Sequence, residues 1–249
     1  MQIWDKPAER LRQALDDDEL QLYAQKIVHL TEPQENVFAE ALVRLREEEE
    51  RLLPPGAFLP VFERHGMMPQ LDRWVVRHAI ARLVQSSGPG SVSINLSAQT
   101  LVDQEFPDYV AEHISNSGIS STSLLFEISE SDVLARPTLA TRFVVALRRV
   151  ECGLILDSFG ENDLSSHVPN LVRPRYLKID RSIVRNVETN STTRRKLEAI
   201  VRAGKAIGAQ LIGECVETAA IEEILRKAGV ELGQGYGIHE PVPIERVFA

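Results

Sequence analysis

Leu124-Leu125-Phe126-Glu127-Ile128-Ser129 is an apolar run of strand length with one carboxylate near its end. A strand covered on both faces reads as a short continuous apolar run, and an unpaired carboxylate inside one is costly to bury. The same pattern recurs in Val37-Phe38-Ala39-Glu40-Ala41-Leu42, Val92-Ser93-Ile94-Asn95, Leu154-Ile155-Leu156-Asp157 and Leu177-Lys178-Ile179-Asp180. Glu214 follows Leu211-Ile212-Gly213, and Gln234 follows Leu232-Gly233. Working outward, strands are expected over Leu20 to Leu30, Asn36 to Leu45, Ser91 to Leu96, Leu124 to Ser129, Leu154 to Phe159, Tyr176 to Asp180, Gln210 to Val216 and Glu231 to Tyr236. Segments of helical period separate most of them, which predicts an α/β fold with mostly parallel strands. The strand total suits a TIM-like (β/α)8 barrel, with room for one irregular or antiparallel strand.

The helical segments carry one-sided apolar faces: Leu71, Trp74, Val75, Ala79 and Leu83 in one, Leu197, Ile200, Val201 and Ile207 in another. A shorter helix is expected after Thr218 as N-cap, with Ile221, Ile224, Leu225 and Ala228 inward and Gly229 as its stop. Residues 1–19 read as a polar lead-in helix and residues 20–249 as a single domain. The acidic run Glu47 to Glu50, followed by Arg51-Leu52-Leu53-Pro54, reads as a solvated insertion. Ser86-Ser87-Gly88-Pro89-Gly90 reads as a turn before a strand.

The composition narrows the function. A formal net charge of −8 argues against a duplex nucleic-acid binder, whose affinity rests on Lys and Arg neutralising phosphates. Cys152 and Cys215 stand far apart with no metal-binding or disulfide spacing, so both are expected to be reduced, buried thiols. No membrane-length apolar segment and no signal sequence is evident, which points to a cytoplasmic location.

Taken singly, a strand-end Asp or Glu is more often a helix cap or salt-bridge partner than a metal ligand. Collected at one barrel mouth, where active sites of such barrels gather, the same residues call for neutralisation by cations. A set of Glu, Asn, Glu and Asp with no clustered His or Cys favours Mg²⁺, Mn²⁺ or Ca²⁺ over zinc or copper.

At these residues the chain resembles the EAL family of cyclic-di-GMP phosphodiesterases and their degenerate receptor relatives, from about Leu20 to Pro243. The signature is literal in Glu40-Ala41-Leu42, followed by Val43-Arg44. It continues through Pro55-Gly56-Ala57-Phe58-Leu59-Pro60, Asn95-Leu96-Ser97, Glu127-Ile128-Ser129-Glu130-Ser131, Leu177-Lys178-Ile179-Asp180-Arg181-Ser182, Glu214-Cys215-Val216-Glu217-Thr218 and Gln234-Gly235-Tyr236. The resemblance implies that Glu40, Asn95, Glu127 and Asp157 are ligands of a first metal, Mg²⁺ or Mn²⁺, with Ca²⁺ as a non-productive occupant. It implies catalytic roles for Glu214, as ligand and base, and for Lys178. It implies cyclic-di-GMP contacts from Gln25, Arg44 and Gln234, and loop support from Glu130 and Glu217. Family members commonly dimerise and commonly sit behind sensory domains, so a homodimer and a sensory or protein partner are expectations of the same kind.

The departures gather in one loop. Active members usually read Asp-Asp-Phe-Gly-Thr-Gly-Tyr, where this chain reads Asp157-Ser158-Phe159-Gly160-Glu161-Asn162-Asp163. Ser158 stands at the second aspartate, a ligand of the second metal, and a neutral hydroxyl is a poorer ligand for a hard cation. Asn162 replaces a glycine, Lys26 a proline after Gln25, and Ile238 an aromatic that commonly stacks on guanine. Losing that platform costs on the order of 1 kcal/mol. Three functions follow: a degenerate receptor for cyclic-di-GMP, a slow metal-dependent phosphodiesterase producing pGpG, and a scaffold that binds neither. The retained polar residues favour the first two.

Overall fold

A computed structural model describes residues 4–31, 36–48, 51–86, 90–161 and 167–249. The strands are β1 (Leu20–His29), β2 (Asn36–Glu48), β3 (Arg51–Leu53), β4 (Val92–Asn95), β5 (Leu124–Ser129), β6 (Gly153–Phe159), β7 (Tyr176–Ile179), β8 (Gln210–Gly213), β9 (Leu232–Gly233) and β10 (Val242–Pro243). The helices are α1 (Pro7–Asp16), α2 (Pro55–Arg64), α3 (Met68–Gln85), α4 (Phe106–Ser117), α5 (Glu130–Ala135), α6 (Pro137–Arg149), α7 (His167–Val172), α8 (Arg181–Asn186), α9 (Ser191–Ile207) and α10 (Ala219–Ala228).

The strands β2, β4, β5, β6, β7, β8 and β9 follow one another in parallel. β1 closes the ring by pairing antiparallel with both β2 and β9, so it is the irregular strand that the sequence left room for. β3 and β10 lie outside the ring, on β2 and β1 respectively.

Strand alternation explains how a polar site sits on an apolar core. Ile27, Phe38, Leu125, Ile155, Tyr176, Ile212 and Leu232 form a separate cluster, and the Phe38 and Tyr176 rings stand 5.1 Å apart. Residues two apart on a strand share a face. The same inward phase therefore carries Gln25, Glu40, Glu127, Asp157 and Lys178, and, just past the ends of β8 and β9, Glu214 and Gln234. The barrel is plugged by hydrocarbon at one level and lined with acids, amides and a lysine at the next. The opposite phase, Phe126, Ile128, Leu154, Leu156, Leu177 and Ile179, packs against the helices in the larger core.

Local signals shape the strand exits. Ser129 accepts from Asp132 N to cap α5, Asp180 from Ser182 N to cap α8, and Thr218 from Ile221 N to cap α10. Gly229, at φ 93°, ends α10 where expected. Leu71, Trp74, Val75 and Ala79 on α3 are buried, as are Leu197, Ile200 and Val201 on α9.

Three expectations change. β2 runs on to Glu48 and forms a hairpin with β3, so the backbone of Glu47 and Glu48 belongs to a strand rather than to an insertion. Glu49 and Glu50 lie outside the described residues, as do Ser87, Gly88 and Pro89 of the expected turn. β8 and β9 are shorter than read, because the chain leaves the sheet at once: Cys215 has φ 55°, and a Cβ at Gly235 would collide with the Val216 backbone. Val216 N donates to Gln234 O at 2.9 Å and Gly237 N to Val216 O at 3.0 Å, which ties the two exits together. Cys152 is buried as expected, whereas Cys215 is half-buried at the barrel mouth.

Candidate functional site

At the barrel mouth Glu40 is fully engaged. Its Oε1 accepts from Asn95 Nδ2 at 2.6 Å, and its Oε2 from Lys178 Nζ at 2.8 Å and Gln234 Nε2 at 2.6 Å. Gln234 Nε2 also donates to Gln25 Oε1 at 3.1 Å, and Gln25 Nε2 to the His239 carbonyl at 2.7 Å. Lys178, wholly buried, reaches Glu127 Oε2 at 2.7 Å and Glu214 Oε1 at 3.4 Å. One ammonium thus serves three carboxylates.

The titrations follow. Burial by itself disfavours the Lys178 ammonium, but Glu127, Glu40, Glu214 and Asp157 outweigh it and hold its pKa well above the ordinary value. Burial likewise pushes Glu40 up, but Lys178 and the hydrogen bonds from Lys178, Gln234 and Asn95 bring it below the usual carboxylate range. Glu127 has the Lys178 contact but, among the described residues, no amide donor: burial, then the charges of Glu40 and Asp157, push it up to about 8 against the pull of Lys178. Burial also raises Glu214 well above its ordinary value.

The β6 corner is built differently. The β6–β7 register shifts between Leu156 and Phe159, a bulge of the kind that re-aims side chains beside active sites. Ser158, inside it, adopts φ 55°, and its hydroxyl donates to Asp157 Oδ2 at 3.2 Å. Among the described residues, Asp157 Oδ1 and Glu127 Oε1 are buried with no hydrogen-bond partner. Glu130 Oε2 accepts from Gly160 N at 3.1 Å and so holds the turn after the bulge. Gly160 has φ 90° and faces the Ile200 and Ile183 side chains, which leaves no place for a Cβ. Asn162 and Asp163 lie outside the described residues.

Around this centre opens a cleft of about 420 Å³ walled by Gln25, Glu40, Glu214, Glu217 and Gln234, together with Arg181, Arg185, Cys215 and Tyr236. Arg44 stands farther along β2 over the Tyr23 ring at 5.4 Å, with Nη1 donating to Val43 O. Glu217 pairs with Arg185 at 3.1 Å across the rim. Sequence reasoning passed over Arg181, Arg185, Cys215 and Tyr236. A signal existed for the arginines, since they sit i, i+4 on a helix that begins at the strand-end Asp180. Ile238 packs on the outer core, while Tyr236, 66% exposed, presents an aromatic at the cleft.

Among the described residues, no three His, Cys, Asp or Glu side chains stand together as a ready-made metal cage. The acids are arranged around Lys178 instead. The donor chemistry nonetheless fits a hard divalent cation, because the orphaned oxygens of Glu127 and Asp157 are acceptors without donors, next to the Asn95 amide.

A profile described as the EAL domain matches residues 8–241. Cyclic di-GMP phosphodiesterase PdeF of Escherichia coli is 29% identical over 238 residues, covering 94% of this chain and 32% of that protein. The chain therefore spans about a third of the length of that relative. The PaMucR phosphodiesterase in complex with c-di-GMP superposes with a TM-score of 0.89 at 26% identity, covering 97% of this chain and 99% of that one. The FimX EAL domain of Xanthomonas citri in complex with c-diGMP gives a TM-score of 0.88 at 26% identity, covering 96% and 94%. Among the described residues no helix is long and apolar enough to cross a membrane.

Proposed function

Because the chain belongs to the EAL domain family, we propose that it binds cyclic-di-GMP at the barrel mouth as a signalling receptor whose hydrolysis is impaired or absent. The observation that carries this reading is the β6 bulge. There the hydroxyl of Ser158 stands where active members carry a second carboxylate, and it is turned onto its neighbour Asp157. The corner is one negative charge short for a second hard cation. The first site keeps its donors in Glu40, Asn95, Glu127 and Asp157, which would hold Mg²⁺ or Mn²⁺. When bound, such an ion supplies Lewis acidity toward a phosphodiester and its attacking water.

The chain's own residues account for binding. Arg44, steadied over Tyr23, offers a guanidinium fork to a phosphate, and Gln25 and Gln234 offer amides in the cleft farther back along β2. Lys178 supplies a fixed positive charge, and Glu214 stands beside it as the residue able to take a proton from water. Glu130 and Glu217 hold the loops. Residues 20–249 would be the EAL unit, with 1–19 as lead-in, acting in the cytoplasm as a homodimer and with a sensory or protein partner.

A slow phosphodiesterase making pGpG is the second reading. It is favoured by the retention of Lys178, Glu214, Glu40, Glu127 and Asn95 in one contiguous network, with Asp157 beside it. Incubation with cyclic-di-GMP and Mg²⁺ or Mn²⁺ separates the two, if binding by calorimetry and pGpG formation by chromatography are measured independently. Tight binding with no pGpG supports the receptor. Metal-dependent pGpG formation, even if slow, selects the enzyme, and neither binding nor product rejects both.

A further inference from the structure

A carboxylate outside the network above is buried with no cation paired to it among the described residues. Asp72 on α3 is 3% exposed, and its Oδ2 accepts from Ser97 N at 3.0 Å, Ser97 Oγ at 2.9 Å and Thr100 Oγ1 at 2.6 Å. Thr100 is itself fully buried. Burying a carboxylate for fold stability alone is a poor device, since an apolar side chain at that helix position would pack without the desolvation cost. What the three donors share is their place in the chain: they belong to the segment that leaves β4 directly after Asn95. β4 is four residues long, so its ladder gives that end little grip. Among the described residues, Asn95 makes a single side-chain hydrogen bond, to Glu40. The segment is tied again by Leu96 N to Glu127 O at 2.9 Å and by Gln99 Nε2 to Glu63 O at 2.6 Å.

We propose that Asp72 is a positioning residue for Asn95: it clamps the Ser97–Thr100 turn so that the Asn95 amide faces the first cation position beside Glu40 and Glu127. This rests on the reading of Asn95 as a cation ligand. A residue that merely stabilises α3 would affect cation affinity in any background. A residue that acts through Asn95 would not.

The test is calorimetric titration of the 249-residue chain with Mg²⁺ alone, on Asp72→Asn, Thr100→Val and Asn95→Ala, and on each of the first two combined with Asn95→Ala. Thr100→Val removes the shortest donor with little change of shape and carries the test if Asp72→Asn does not fold. The expected result is at least a fivefold loss of Mg²⁺ affinity for each single clamp variant and no further loss when Asn95 is already Ala. Equal losses in both backgrounds, or none in the clamp variants, would overturn the proposal. Wild-type affinity in Asn95→Ala would instead show that Asn95 is no ligand, and the proposal would fall with that reading.

Discussion

Glu40 and Asp157 are carboxylates at the mouth of one barrel, the first in contact with Lys178 and the second within reach of its charge, yet their surroundings differ. Both oxygens of Glu40 are occupied, by Asn95, Lys178 and Gln234. Asp157 has one oxygen touched by its neighbour Ser158 and one with no partner among the described residues. The Glu40 corner is complete within the protein; the Asp157 corner is complete only with something added. The difference comes from backbone as well as side chain. Glu40 sits within a long regular strand paired residue by residue with β1, whereas Asp157 sits at a bulge. Rigid wiring lies where the Gln25 and Gln234 amides are, and unsatisfied acceptors lie where Ser158 stands in place of the family's second carboxylate.

The largest expected effect would break the complete corner. Lys178→Met removes the only cation in contact with Glu40, Glu127 and Glu214 among the described residues. Truncating one partner of a buried ionic network costs about 3–5 kcal/mol, because the remaining charges lose their compensation. Urea unfolding should show a loss of that size, partly reversed by Mg²⁺ if the acids can gather a cation in place of the ammonium. A wild-type midpoint for the variant would mean that the corner does not depend on its lysine.

How much of this was legible in the sequence varies by residue. The polar layer was, since every member interrupts an apolar strand, and a side chain that breaks a buried pattern has few reasons to be there. The ring closure was only partly so: β1 was recognisable as a strand, but nothing in its residues states that it runs against its neighbours. The β2–β3 hairpin was hidden because acidic residues read as solvated wherever they cluster. Lys178 at the centre of the acids was not legible either, because which charges meet is a property of strand order. Asp72 escaped because helical periodicity counts apolar positions, and its partners lie 25 and 28 residues downstream.

The two corners should also separate by pH. Glu127 has one oxygen on Lys178 and one unpartnered among the described residues, and burial pushes its pKa up to about 8, which favours the protonated form at neutral pH. Its folded pKa lies above the unfolded value, so its contribution to stability is full below about pH 4.5 and declines as pH rises toward 8. A cation must displace that proton, so Mg²⁺ affinity should rise with pH up to about 8, by at most about tenfold per unit. In Glu127→Gln the slope should flatten. A wild-type affinity independent of pH between 6 and 8 would take Glu127 out of the ligand set.

On the ligand-binding side, Arg44→Ala should weaken cyclic-di-GMP binding by about 1.5–3 kcal/mol, the worth of a charge-assisted hydrogen bond to phosphate. Arg44 is only half-buried and touches Val43 O and the Tyr23 ring, so thermal stability should hardly change. Calorimetry showing unchanged affinity in a folded variant would move the phosphate contact to Arg181 or Arg185 in the neighbouring cleft.

The smallest change is the one aimed at the incomplete corner. Ser158→Asp restores a carboxylate beside Asp157 without asking the backbone for anything new. Ser158 already holds φ 55°, a left-handed conformation in which Asp is among the residues best tolerated. The added charge should raise affinity for a second divalent cation, seen as a second binding event in Mn²⁺ titrations. It should also raise pGpG formation by at least tenfold, only about 1.4 kcal/mol off the barrier. Binding of cyclic-di-GMP should be preserved, because Arg44, Gln25 and Gln234 lie on the other corner. Two results would sink the account in different places. Rapid hydrolysis by the wild-type chain would show that a hydroxyl suffices at this bulge. A variant that binds a second ion and the ligand yet remains inert would place the defect outside the Asp157–Ser158 pair, in the neighbouring Asn162–Asp163 departures or in the proton-accepting role assigned to Glu214.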